Sequence, residues 1–199
     1  MLTNCDDSSL VIDSLCDQAR SQKFAVACLY FDFAAQKDQS LAGMLGALLK
    51  QVVGGRDEIP KKIAQAYEDQ KMVIGGRGPQ LADIVGMLQT AASEKPTFIC
   101  IDALDECVAA YRVKLLDSLG QILQGSPGTR VFITGRAHIK VEVERRLPRK
   151  VATLRITPRR DDIISYLHNK LDEDTTPDAM DSSLKVDIIK KISEGVSET

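Results

Sequence analysis

The 199-residue chain has no excess of basic residues: 26 Lys and Arg stand against 28 Asp and Glu, a net charge of −2. That balance argues against a general nucleic-acid binder, which carries a basic surplus. No apolar stretch is long enough to span a bilayer. The longest, Phe24 to Phe31, falls far short of the roughly 20 residues a membrane helix needs. The segment Met1 to Asp7 is polar and acidic, without the apolar core of a secretory signal. Five cysteines make an odd count, and no C-x-x-C pair points to zinc. Cys28 and Cys100 lie inside apolar runs and are expected as buried thiols. There is no internal repeat and no low-complexity tract. Together these absences describe a reduced, cytoplasmic protein with no membrane span. What is present is ordinary for a globular domain: 44% apolar and 27% charged residues, in a chain long enough to bury a core.

Along the chain, strand-like and helix-like segments alternate. Residues 8–21 place Val11, Ile12, Leu15 and Ala19 on one helical face. Phe24 to Phe31 is a continuous apolar run that suits a strand covered on both faces. Leu41, Met44, Leu45, Leu48, Leu49 and Val52 predict a helix over 39–53, stopped by Gly54-Gly55. A more polar helix is expected over 59–72, with Pro60 in its first turn, then a glycine-rich loop at 74–79. Leu81, Ile84, Val85 and Leu88 mark another helix. Thr97 to Ile101 is the second strand, and Leu115, Leu116, Leu119, Ile122 and Leu123 the next helix. Arg130 to Thr134 is a third strand, 138–147 a helix and Val151 to Ile156 a fourth strand. Helices are expected near 160–172 and 183–194, joined by an acidic connector, 172–178. Such alternation predicts an α/β fold with a parallel sheet flanked by helices and right-handed crossovers.

Two strand ends carry the chemistry. Phe98-Ile99-Cys100-Ile101-Asp102-Ala103-Leu104-Asp105-Glu106 runs an apolar strand straight into three carboxylates. In α/β sheets ligands bind beyond the carboxyl ends of the strands. Asp102 therefore stands where a Mg²⁺ partner belongs, and Mg²⁺ takes few carboxylates and keeps several waters. Asp105 and Glu106, just beyond, are placed to orient or deprotonate an attacking water. In Arg130-Val131-Phe132-Ile133-Thr134-Gly135-Arg136, Thr134 and Arg136 point toward the same crevice if the two strands are neighbours. A guanidinium there suits a phosphate oxygen. Gly135 is expected to let the backbone turn sharply. His138 is read as a capping or packing residue.

These two segments, TFICIDALDEC and RVFITGRAHI, resemble the Walker B and sensor-1 motifs of NACHT domains, within the STAND class of P-loop NTPases. The closest likeness is to fungal NLR-like NACHT proteins, often fused to ankyrin or WD repeats. The likeness extends to Ser9–Leu15 as the helix after the phosphate-binding loop, Leu29–Phe33 as the second strand, and the helical segments around Asp162–Leu167 and Met180–Ser193. The resemblance implies a sheet of order 5-1-4-3-2, an incomplete nucleotide-binding core over 1–157 and the start of a helical subdomain over 158–199. It implies ATP or GTP with Mg²⁺, and a switch that controls self-association and signalling through protein partners. It assigns Asp102 to the metal, Asp105 and Glu106 to the water-activating pair, Thr134 and Arg136 to nucleotide contact, and Arg136 to γ-phosphate sensing.

One element of that family is missing from these residues. A P-loop NTPase places G-x-x-x-x-G-K-[ST] between its first strand and first helix. No such motif occurs; Cys5-Asp6-Asp7-Ser8-Ser9 stands in its position, and Gly75-Gly76-Arg77-Gly78 lacks the Gly-Lys-Ser/Thr end. Hydrogen bonds to charged groups contribute about 1.5–3 kcal/mol each. Losing three or four removes roughly 5–10 kcal/mol, on the order of 10⁴-fold or more in affinity. Two readings follow. The chain is a partial core of a signalling NTPase with weak or no activity alone, or a catalytically dead NACHT-like interaction module acting as a decoy or scaffold for full-length relatives. The first strand would be absent from the middle of the sheet, so 151–156 either closes up on 130–134 or leaves a gap.

Overall fold

A computed structural model describes residues 10–32, 40–56, 58–71, 79–148, 151–156, 160–172 and 181–195. The Cys5–Ser9 segment, the Gly75–Gly78 loop and most of the acidic connector lie outside the described residues. The chain divides into two units, Met1–Val151 and Ala152–Thr199.

The first unit is built on three parallel strands in the order β1-β2-β3: β1 is Ala25–Tyr30, β2 is Thr97–Asp102 and β3 is Thr129–Ile133. The register sets Ala27 beside Ile99 beside Val131, Cys28 beside Cys100 beside Phe132, and Tyr30 beside Asp102. Parallel neighbours need long crossovers: α2 (Leu41–Gly54), α3 (Lys61–Lys71) and α4 (Leu81–Glu94) lie between β1 and β2, and α5 (Ala109–Gly125) between β2 and β3, while α1 (Leu10–Ser21) precedes β1 and α6 (Lys140–Arg146) follows β3.

The two faces of the sheet are covered unequally. Ala25, Ala27, Ile99 and Ile101 point into the main core with Leu45, Leu48 and Val52 of α2, Leu88 of α4, and Leu115, Leu116, Leu119 and Ile122 of α5. The alternate residues of each strand form the other face. There Cys100 is fully buried, but Val26, Cys28, Phe98 and Phe132 are only half-buried. The expectation of a strand sealed on both faces therefore holds for one face of β1. On the second, Phe24 meets Phe98 edge-on at 5.0 Å, and α1, packed against β1, buries Ile12.

The two outer edges also differ. The side-chain amide of Gln51 in α2 accepts from the Cys28 N–H and donates to the Cys28 carbonyl, both at 2.8 Å. This occupies backbone groups of β1 that a further strand would use. On β3, Thr134 turns its N–H to the Ile101 carbonyl and its carbonyl to the Leu104 N–H. The backbone groups of Val131 and Ile133 therefore face away from β2, and no further strand pairs with them among the described residues.

Two expectations are corrected. Val151 to Ile156 is not a fourth strand: these residues form no ladder, and Leu154 and Ile156 are 84% and 83% exposed. An extended segment becomes a strand only when a neighbour satisfies its backbone groups. No neighbouring strand pairs with 151–156 among the described residues. The helix expected over 138–147 is split into a single 3₁₀ turn, Ala137–Ile139, followed by α6. A second 3₁₀ turn, Leu104–Glu106, follows β2.

In the second unit, α7 (Arg160–Asp172) and α8 (Ser182–Gly195) pack on one another. Lys185 bridges to Asp172 at 3.0 Å. No residue of α7 is fully buried. Among the described residues no helix is long and apolar enough to cross a membrane.

Candidate functional site

The site lies where β2 and β3 end side by side. Asp102 is the last residue of β2 and is half-buried. The Thr134 hydroxyl, one residue past β3, donates to Asp102 Oδ1 at 2.5 Å. The same hydroxyl oxygen accepts the Ala103 N–H at 2.9 Å. Ala103 adopts the left-handed conformation, φ 51° and ψ 47°, alone among the described non-glycine residues. An L-residue there costs roughly 1–2 kcal/mol. The turn is held by that bond and by the Leu104 N–H, which donates to the Thr134 carbonyl at 3.0 Å. Strain kept by surrounding contacts is a mark of functional loops.

The left-handed turn starts the 3₁₀ turn that carries the next two carboxylates. Asp105 Oδ1 accepts the Arg136 backbone N–H at 3.1 Å, and Asp105 Oδ2 pairs with Arg136 Nε at 3.3 Å. Glu106 Oε1 lies 3.2 Å from Arg136 Nη2. The partners differ in exposure: the Asp105 side chain is 6% exposed, that of Arg136 75%. The guanidinium is thus held on one side by carboxylates and open to solvent on the other. Such a pair is weak, of order 0–1 kcal/mol, because water screens it.

Gly135 does not serve through a left-handed φ, since its φ lies outside that range. Room is what it supplies. A Cβ there would lie 2.6 Å from Ile139 Cδ1 and 3.1 Å from Asp105 Oδ1. His138 is exposed, within the 3₁₀ turn.

All five expected site residues, Asp102, Asp105, Glu106, Thr134 and Arg136, are brought to this one edge. They are not one metal cage, since no group of three or more His, Cys, Asp or Glu among the described residues could hold a metal ion. Asp102 turns one oxygen to Thr134, while Asp105 and Glu106 attend to Arg136.

Residues 8–136, 129 of the 199, match the family described as Nephrocystin 3, N-terminal. The chain belongs to that family. No curated protein matches the chain. The nephrocystin 3 N-terminal match ends on Arg136, so it includes all five site residues and the whole three-stranded sheet.

Sequence reading missed the supports of the site within this family region. Arg112 of α5 donates to the Cys107 carbonyl at 3.1 Å and pairs with Glu142 of α6 at 2.9 Å. It ties the end of the acidic turn to the helix beyond Arg136. Only the pattern of a cation early in one helix and an anion in the next could have hinted at it, and that pattern is common. Two thiols, Cys28 and Cys107, are quiet, while the contact with Cys28 holds the Cys100 thiol below its ordinary value. A hydrogen bond to Cys100, then burial, pushes the Cys28 thiol well up, and burial pushes Cys107 up to about 11. Low thiolate content makes a cysteine a poor nucleophile.

Proposed function

We propose that the chain is the metal and sensor side of a NACHT-type nucleotide-binding core. It would belong to a STAND-class P-loop NTPase working in the cytoplasm as an ATP- or GTP-dependent signalling switch, of the kind seen in fungal NLR-like proteins. The observation that carries this reading is the meeting of the carboxylates in the turn just after β2 with a guanidinium beyond the end of β3, beside Asp102 at the edge where α/β sheets bind ligands.

The donor set suits Mg²⁺. Asp102 offers a single half-buried carboxylate, and no hydrogen bond from the described residues reaches its Oδ2. Mg²⁺ is commonly bound through one or two carboxylates, completed by waters and phosphates. Bound Mg²⁺–nucleotide supplies charge neutralisation for phosphoryl transfer. The chain's own residues do the rest. Asp102 would hold the cation, Asp105 and Glu106 would align a water, and Arg136 would turn from those carboxylates to a phosphate oxygen. The latter exchange couples nucleotide to the turn that begins α6. Thr134 belongs to the same edge. No G-x-x-x-x-G-K-[ST] lies within these 199 residues, so affinity is expected to be weak and turnover low or absent.

Titration of the chain with mant-ATP and mant-GTP, with and without Mg²⁺, tests this. Weak Mg²⁺-dependent binding that is lost in Asp102→Asn and reduced in Arg136→Ala supports the switch. Binding indifferent to both substitutions and to Mg²⁺ overturns it. The open backbone groups of Val131 and Ile133 favour the second reading, a catalytically inactive module that works by association. No nucleotide binding at any concentration, together with self-association or capture of a full-length relative, supports that one.

A further inference from the structure

We infer that Thr134 is a positioning residue that sets the orientation of Asp102, and not a contact to the nucleotide. The inference rests on the reading of Asp102 as the metal carboxylate.

A threonine hydroxyl has one hydrogen to give. Thr134 gives it to Asp102 Oδ1 at 2.5 Å. The oxygen also receives the Ala103 N–H at 2.9 Å. The donor is therefore spent, and nothing remains to offer a phosphate oxygen. The geometry has two effects. It fixes which carboxylate oxygen faces Thr134, leaving Oδ2 as the atom with no hydrogen bond from the described residues. It also pins Ala103 at φ 51°, the bend that sends the chain from β2 into the turn bearing Asp105 and Glu106. One hydroxyl just past β3 thus holds the metal carboxylate on β2 and the start of the water-aligning turn. Ligand carboxylates that are themselves hydrogen-bonded bind metals better, and loss of such a partner lowers affinity 10–100-fold.

The test uses the full 199-residue chain and Mn²⁺ alone, with free Mn²⁺ read by electron paramagnetic resonance. Wild type, Asp102→Asn, Thr134→Val and Thr134→Ser are compared. Amide exchange at Ala103 and Leu104 is followed in the absence of metal. Thr134→Val is expected to weaken Mn²⁺ binding about tenfold and to speed Ala103 exchange. It should leave Leu104, which bonds the Thr134 carbonyl, protected. Thr134→Ser keeps the hydroxyl and is expected to restore both. A purely structural role would not give that selective pattern and rescue. Asp102-dependent Mn²⁺ binding that is unchanged in Thr134→Val overturns the inference. So does a Thr134→Ser protein as weak as Thr134→Val. If wild type binds Mn²⁺ no better than Asp102→Asn, the metal reading itself fails and takes the inference with it. The asparagine control separates that case from the others.

Discussion

Gln51 is a substitute strand for Cys28. Its amide makes the same two bonds, N–H and carbonyl at 2.8 Å each, that a neighbouring backbone would make. Open edges of apolar strands invite pairing with other chains. Gln51→Ala is expected to lower stability by about 1–3 kcal/mol, from the two lost bonds to Cys28 at 0.5–1.5 kcal/mol each. It should also speed aggregation. Urea unfolding and light scattering measure the two effects separately. Wild-type stability and scattering in the variant would show that the edge needs no plug.

Gly135→Ala probes the crowding between the strand ends. Its Cβ would meet Ile139, which is only 4% exposed, and Asp105 Oδ1. Overpacking of this kind costs typically 1–3 kcal/mol. The expected result is a loss in that range on chemical denaturation, together with weakened Arg136–Asp105 pairing. A neutral substitution would mean that Ile139 has another rotamer available.

Arg136→Ala should separate stability from ligand response. The side chain is 75% exposed, so its ion pairs contribute at most about 1 kcal/mol. Its backbone N–H bond to Asp105 survives the substitution. Little change in the urea midpoint is expected, while any Mg²⁺-dependent nucleotide signal falls. A large loss of stability would instead make Arg136 a structural clamp.

Asp181 makes α8 sensitive to acid. It accepts the Leu184 N–H at 2.7 Å and the Ser183 hydroxyl at 2.8 Å, and these bonds hold its carboxyl below the ordinary 3.8. The folded-state value is depressed, so the cap contributes fully above the ordinary aspartate range. It is lost as pH falls through the lowered value. Helicity of α8, followed by nuclear magnetic resonance at Leu184 and Lys185, should decline there. In Asp181→Asn the decline should be much smaller. An identical acid profile in both proteins would remove the cap as its cause.

The pattern that could be read in the sequence was the local one. Apolar runs ending in Asp102 and in Thr134 marked two strands, and their adjacency follows from the α/β rule, so the edge that gathers the site was legible. Helical periodicity located α2, α4 and α5 within a few residues because each must bury one apolar face. Interactions that depend on where a side chain arrives in space were not legible. Nothing in the letters says that Gln51 reaches the Cys28 backbone, that Ala103 is left-handed, or that the Thr134 hydroxyl turns back onto Asp102. Val151 to Ile156 misled for the opposite reason. Its composition suits a strand, but a ladder is a property of two segments, and no second segment pairs with it among the described residues.

Arg112 gives the region beyond the strand ends its mechanics. By holding the Cys107 carbonyl with one nitrogen and Glu142 with another, it rivets the far end of the acidic turn to α6. Arg136 joins the near ends of the same two segments. The two turns are therefore fastened at both extremities, like the rails of a ladder. An anion that draws the Arg136 guanidinium away still leaves its backbone N–H on Asp105 Oδ1, so the two segments stay joined at both ends.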